Sequence, residues 1–77
     1  MKEQILQILG EIRPDVEFEK ETALMEDGVI DSFDIIQIVS ELNDNFDVNI
    51  SVDELLPENF DSVDAMVALI TKLQSEQ

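Results

Sequence analysis

Apolar residues recur at every third or fourth position in three stretches of the chain. This spacing places them along one side of a helix, so each stretch predicts an amphipathic α-helix. The first helix should end at Pro14, because proline cannot continue a helix. The second runs from about residue 32 to residue 46, and the third starts at Asp61 or Ser62. The predicted core stripes are Ile5, Ile8, Leu9 and Ile12; Ile35, Ile38, Val39, Leu42 and Phe46; and Val63, Met66, Val67, Ile70 and Leu73.

The segment between the first two helices, residues 15–31, shows no sustained period and contains Gly28 and several acidic residues. It predicts a long loop, and a loop of this length in so small a domain is typical of a functional segment. Four of its apolar side chains should reach the core, namely Val16, Phe18, Leu24 and Val29.

The apolar residues between Phe46 and Val52 alternate, as they do in a β-strand. No second strand-like segment could pair with this one, so we expect an extended loop with inward apolar side chains. One short helical turn should follow over residues 53–56 and be closed by Pro57. The sequence therefore predicts a single all-α domain over residues 1–77, a bundle of three main helices and one short helix with a long first loop.

Composition changes this picture mainly through charge. Nineteen Asp and Glu residues face four Lys and Arg, which gives a net charge of −15. Such a surface repels nucleic acids and anionic membranes and attracts basic patches on proteins. No apolar run is long enough for a membrane span, and the first residues do not form a signal peptide. We therefore expect a cytoplasmic monomer that binds no nucleic acid and does not insert stably into membranes.

The helix start at residue 32 is the candidate functional position. A serine there is usually a structural cap, but Asp31 can supply the cap and leave the Ser32 hydroxyl free. Gly28 and the acidic loop before it should place Ser32 on an accessible corner. Ser62 also follows an aspartate, but no glycine-containing loop leads into it, and capping is the better interpretation there.

Phe33, Ile36 and Ser40 lie on a different side of the second helix from its core stripe. Phe33 and Ile36 are therefore candidates for exposed apolar side chains beside Ser32. Within an acidic and polar rim, they would form a docking face for a basic partner. The alternative is that both pack against the long loop or another helix. The rim residues are Asp31, Asp34, Gln37, Glu41 and Asp44.

The run Gly-Val-Ile-Asp-Ser-Phe-Asp-Ile-Ile at residues 28–36 resembles the phosphopantetheine attachment motif of acyl carrier proteins, with Phe33 where leucine is usual. The resemblance implies that Ser32 bears a 4′-phosphopantetheine arm taken from coenzyme A, with Asp31 as its flanking acid. It also implies a partner face that includes Phe33, Asp34 and Ile36. The implied partners are a phosphopantetheinyl transferase and an adenylating ligase, or acyl-transferring and condensing enzymes with basic docking patches.

The same region indicates the type of carrier. Gln37 stands where carriers of fatty acid synthesis typically have glutamate, and Ser40 stands where they often have methionine. The entry into the Ser32 helix and the Pro-Glu-Asn-Phe segment at residues 57–60 are more similar to stand-alone D-alanyl or peptidyl carriers. Branched aliphatic residues at the predicted centre also leave no evident slot for a long acyl chain. The alternatives are a carrier for fatty acid synthesis and an unmodified acidic interaction module.

Two further classes of protein, a calcium-binding EF-hand protein and an enzyme, fit the sequence less well. An EF-hand needs oxygen ligands at fixed spacing, but its first position would be asparagine here and its sixth is Val48 instead of glycine. The residues at that spacing are Asn43, Asn45, Asp47, Asn49, Ser51 and Glu54. An enzyme without His or Cys would need a carboxylate pair in a pocket, and so small a domain offers little concavity. We therefore expect neither a metal site nor catalytic residues.

Overall fold

The computed structural model describes residues 1–76, and over that range it contains four α-helices, one 3₁₀ turn and no β-strand. The helices are α1 (Lys2–Ile12), α2 (Ser32–Phe46), α3 (Pro57–Phe60) and α4 (Val63–Ser75), and the 3₁₀ turn is Val52–Glu54. The predicted all-α class, with three main helices, one short helix and a long first loop, is confirmed. Within the same residues, no helix is both long enough and apolar enough to cross a lipid bilayer.

The three long helices bury most of the apolar stripes that the sequence predicts. α1 packs against both α2 and α4, and α3 packs against α4. The stripe residues that lie half-buried at the edge of the core are Ile12, Val39, Phe46 and Val67. Ile30 and Leu69 are buried although neither belongs to a predicted stripe. The helical period therefore predicts which side of each helix faces the core. How deeply the residues at the edge of a stripe are buried depends on the element packed beside them.

The first loop, residues 13–31, follows the bundle as a series of hydrogen-bonded turns. Leu24 is fully buried, and its N–H donates to the Asp61 carbonyl oxygen at 2.9 Å. The Leu24 carbonyl in turn accepts the N–H groups of Val29 and Ile30 at 2.9 and 3.1 Å. The predicted core contacts are present, with Phe18 and Leu24 buried and Val16 and Val29 partly buried. The path of the chain into α2 is therefore set by the core and by these hydrogen bonds.

The connection between α2 and α4 differs in part from the prediction. Val48 and Ile50 are buried as expected, but Val52 is 82% exposed, so the expectation that it faces inward is wrong. It begins the 3₁₀ turn, which breaks the alternation of an extended chain. Pro57 does not only close a turn: it is the first residue of α3. Proline suits that position because its fixed φ is helical and its missing N–H would have no helical acceptor.

Gly10 offers a test of helix stability away from the candidate site. Glycine inside a helix costs about 1 kcal/mol relative to alanine, and a Cβ at Gly10 would meet no atom within 4 Å. We expect Gly10→Ala to raise the free energy of unfolding by about 0.5–1 kcal/mol in urea denaturation. The matched control is Gly28→Ala, which also enters open space but at a φ of +71°. It should destabilise the fold, and stabilisation by both substitutions would contradict the argument.

Candidate functional site

The start of α2 is held by a reciprocal pair of hydrogen bonds. Asp31 is the N-cap residue, and its Oδ1 accepts the N–H of Asp34 at 3.0 Å. Asp34 returns the interaction, since its Oδ2 accepts the N–H of Asp31 at 3.2 Å. This is a capping box, which satisfies N–H groups that a helix start would otherwise leave without acceptors. The prediction that Asp31 caps this helix is confirmed.

Ser32 follows as the first residue of α2, and it is exposed. Within residues 1–76 its hydroxyl has no hydrogen-bond partner. The cap is already supplied by Asp31, so the helix does not require the Ser32 side chain. An exposed hydroxyl without a structural task is available for modification, which is the arrangement that the sequence predicts.

The second Asp-Ser pair is used differently, as expected for a structural cap. Ser62 is itself the N-cap of α4, and its Oγ accepts the N–H of Ala65 at 3.1 Å. The carboxylate of Asp61 instead accepts the N–H groups of Met25 and Glu26 in the first loop, at 3.0 and 3.2 Å. The interpretation of Ser62 as a cap is confirmed. The two pairs differ by one residue in register, because the aspartate caps α2 and the serine caps α4.

The apolar side chains beside Ser32 face solvent. Phe33 is 78% exposed and Ile36 is 65% exposed, so neither packs against the long loop or another helix. They form an apolar pair on the outer side of α2. The predicted rim residues that are exposed around it are Asp31, Gln37, Glu41 and Asp44, and Ser40 on the same side of the helix is exposed as well. An exposed apolar pair of this kind is typical of an interaction site.

Asp34 differs from the other predicted rim residues because its side chain is only 12% exposed. Its Oδ2 accepts a hydrogen bond from Nη1 of Arg13 at 2.6 Å. The opposite side of the Arg13 guanidinium binds the carboxylate of Asp15. The hydrogen bonds of Arg13 raise its pKa, with the larger contribution from Asp15 and the smaller from Asp34. The hydrogen bond from Arg13 also lowers the pKa of Asp15. Asp34 therefore belongs to an ion-pair network that joins α1 to the start of α2.

An open groove of about 480 Å³ adjoins Ser32, and the residue pattern of the sequence does not predict it. It lies between the end of the first loop, the first turns of α2 and the segment after the 3₁₀ turn. Most of its walls are apolar, which gives the candidate site an apolar surface next to a free hydroxyl. The lining residues are Met25, Ile30, Asp31, Ser32, Ile35, Ile36 and Leu55.

The charged residues in the part of the sequence that contains this site are all acidic. No Lys or Arg lies between Lys20 and Lys72, whereas thirteen of the nineteen acidic residues do. α2, the 3₁₀ turn and α3 all fall within this stretch. Apart from Arg13, which pairs with Asp15 and Asp34, the charged residues around the start of α2 are acidic, and this charge favours contact with a basic partner.

Two of the side chains at EF-hand spacing form hydrogen bonds within the protein. Oδ1 of Asn43 accepts the N–H of Ile50 at 3.0 Å, and Nδ2 of Asn45 donates to the Glu41 carbonyl oxygen at 2.7 Å. Across residues 1–76, no group of three or more His, Cys, Asp or Glu side chains is placed to hold a metal ion. These asparagines stabilise the end of α2 and the loop after it.

Comparison with known proteins agrees with the geometry. The family model described as "Phosphopantetheine attachment site" matches residues 2–70. A D-alanyl carrier protein of Lactobacillus delbrueckii subsp. bulgaricus is 28% identical over 78 residues, which covers 100% of this chain and 98% of that protein. A D-alanyl carrier protein of Streptococcus mutans is 26% identical over 76 residues, which covers 97% of this chain and 96% of that protein.

Proposed function

This chain belongs to the phosphopantetheine-attachment family and is a carrier protein, and from that premise we propose that Ser32 bears the 4′-phosphopantetheine arm. The observation that carries the proposal is the free, exposed hydroxyl at the first position of α2. Ser62, in the similar Asp-Ser pair, uses its hydroxyl as a cap. The groove beside Ser32 leaves room for a flexible group next to that hydroxyl.

Attachment requires a separate enzyme. Ser32 Oγ would form a bond to the phosphorus next to the pantetheine of coenzyme A, and the bond from that phosphorus to the bridging oxygen of the diphosphate would break. The leaving group is 3′,5′-adenosine bisphosphate, and the serine proton passes to a base. Within residues 1–76 no carboxylate is hydrogen-bonded to the Ser32 hydroxyl, and the chain has no histidine, so we assign the base to a phosphopantetheinyl transferase. When bound, the arm supplies a thiol that holds the cargo as a thioester.

The exposed pair Phe33 and Ile36 and the acidic surroundings of α2 support docking by basic enzymes. A partner would bury the apolar pair and place its positive charges near the rim, including Glu41 and Asp44. Opposite charges speed the encounter more than they strengthen the complex. Such docking suits a carrier, which must leave one enzyme before it meets the next. We therefore propose that the transferase and the loading enzyme share this face.

The cargo that we propose is a small amino or carboxylic acid loaded by an ATP-dependent adenylating ligase. Two observations support a D-alanyl-type carrier: the relatives with that name align along nearly the whole chain, and Gln37 and Ser40 depart from the pattern of fatty-acid carriers. One observation favours a second candidate, a carrier of apolar acyl chains. The groove beside Ser32 is lined largely by aliphatic side chains, on which an acyl chain could pack.

A loading experiment separates the two candidates. The protein is first converted to its phosphopantetheine form and then offered to a D-alanine-type ligase with ATP, or to a malonyl transacylase of fatty acid synthesis. We expect the ligase to add one aminoacyl group and the transacylase to load poorly, as read by intact mass. The unmodified protein serves as the control and should gain no mass. Efficient malonyl loading and elongation, with no charging by the ligase, would establish the second candidate instead.

A further inference from the structure

Arg13 contacts the chain on both sides of Ser32, although it lies at the end of a different helix. We propose that Arg13 is a positioning residue for arm attachment: it holds the backbone around Ser32 so that the hydroxyl is presented to the transferase in one geometry. This inference rests on the proposal that Ser32 is the attachment serine. Arg13 touches neither the arm nor the transferase in this role and acts through the residues that flank Ser32.

The contacts bracket Ser32 closely. Nη1 of Arg13 donates to the Val29 carbonyl oxygen at 3.2 Å and to Oδ2 of Asp34 at 2.6 Å. Val29 lies three residues before Ser32, and Asp34 lies two residues after it. The same Oδ2 accepts the N–H of Asp31, the residue directly before Ser32. One guanidinium therefore connects the end of the loop, the capping box and the first turn of α2.

The guanidinium is itself fixed from two directions. Nε and Nη2 of Arg13 donate to the two carboxylate oxygens of Asp15, each at 3.1 Å. This bidentate pairing sets the plane of the guanidinium, because its donors have a rigid fork geometry. The backbone N–H of Arg13 donates to the Leu9 carbonyl oxygen at 2.8 Å, which anchors the residue at the end of α1. Movement of the loop or of the α2 start relative to α1 would break these bonds.

The position of Asp34 makes this contact different from the other ion pairs. Asp34 is the buried charged residue of the described chain, and the cation bound to it is Arg13. The pairs of Lys2 with Asp64 and of Lys20 with Glu17 are both largely exposed. Exposed pairs contribute little to order because solvent screens them. Removal of Arg13 would leave the Asp34 carboxylate near the core without its cation, and the capping box would lose its external support.

The test compares Arg13→Gln and Arg13→Lys with the wild-type protein, and Lys2→Gln is the control. Lys2→Gln removes one positive charge and one ion pair, but that pair joins α1 to α4. Each variant is assayed with coenzyme A and a phosphopantetheinyl transferase at a temperature where circular dichroism shows it to be folded. Modification is followed by intact mass, and kcat and KM for the carrier are determined separately. Amide hydrogen exchange of the Asp34 N–H provides a readout that does not depend on the transferase.

We expect Arg13→Gln to lower kcat about tenfold, because small misplacements of a reacting group carry large rate penalties. KM should change less than about twofold, since Phe33 and Ile36 remain available for docking. The Asp34 N–H should exchange faster, and Lys2→Gln should leave both quantities near the wild-type values. Arg13→Lys keeps the charge but cannot reach Val29, Asp34 and Asp15 together, so its kcat should also fall.

A wild-type kcat in folded Arg13→Gln would overturn the positioning role, even if the protein is less stable. If Arg13→Gln does not fold, Arg13→Lys decides: a lower kcat at unchanged KM supports the role, and a wild-type kcat overturns it. A raised KM with unchanged kcat would make Arg13 part of the docking face and would also overturn it. Failure of the proposed function has a different signature, namely a wild-type protein that is modified at a residue other than Ser32.

Discussion

Ser32→Ala should gain no mass when it is incubated with coenzyme A and a phosphopantetheinyl transferase, whereas the wild-type protein should gain one arm. The substitution removes the only atom of this residue that could form the phosphodiester bond. It should not unfold the protein, because Asp31 caps α2 and the Ser32 hydroxyl has no partner within residues 1–76. Intact mass spectrometry measures the modification, and circular dichroism verifies the fold.

Ser62→Ala is the matched control for this prediction. It removes the cap of α4 and should lower the free energy of unfolding by about 0.5–2 kcal/mol, the usual cost of losing a serine cap. It should nevertheless be modified at the wild-type rate below its melting temperature. Ser32→Ala should therefore lose modification but keep its stability, whereas Ser62→Ala should lose stability but keep its modification. A modified Ser32→Ala protein would show that the attachment residue has been assigned wrongly.

Leu42→Ala should destabilise the fold strongly, while Phe33→Ala should not. Leu42 is fully buried on the inner side of α2, and loss of a buried leucine costs about 2–5 kcal/mol through lost burial and the remaining cavity. The total stability of a domain of this size is only about 4–12 kcal/mol at roughly 0.05–0.15 kcal/mol per residue. Leu42→Ala therefore removes a large share of it. Urea denaturation followed by circular dichroism measures the difference.

Phe33→Ala removes a larger side chain from the same helix, but Phe33 is 78% exposed and its loss leaves no cavity. Its effect should appear in the transferase reaction as a raised KM for the carrier. Val52→Ala removes another exposed apolar side chain, from the 3₁₀ turn instead of α2, and should change neither quantity much. Equal destabilisation by Leu42→Ala and Phe33→Ala would mean that Phe33 is a core residue and would contradict the docking face.

The sequence predicts the elements that depend on local pattern. The bounds of the Ser32 helix follow from its apolar period and from Asp31 as a cap, and both agree with the structure. The sequence places the short helical turn at residues 53–56, where the structure has the 3₁₀ turn, and does not place α3, because proline can both stop a preceding helix and begin a new one. Val52 is misplaced because the alternation that begins at Phe46 ends in a 3₁₀ turn. Neither outcome can be read from hydrophobicity alone.

Some features of the candidate site could likewise be predicted from local pattern, and others depend on how separate segments pack. Ser32, Phe33 and Ile36 lie on one helix, so their arrangement follows from helical geometry and could be predicted. Arg13 lies twenty-one residues from Asp34, and only the packing of α1 against α2 brings the two together. The sequence contains a weak signal, since Arg13 is one of only four cations in an acidic chain. The groove beside Ser32 is also formed by three separate segments, and no single period describes it.

Residues 21–71, which contain α2, have no Lys or Arg, and this one-signed charge affects how readily two copies of the protein associate. Phe33 and Ile36 give every molecule an apolar spot that would otherwise favour contact with an identical spot on a second molecule. Two such spots can meet only if two surfaces of the same sign approach each other, which costs free energy that contact with a basic enzyme does not. The acidic charge therefore disfavours contact with a second copy of the chain and favours contact with a basic partner. A carrier with this charge can leave an apolar patch exposed with little tendency to self-associate.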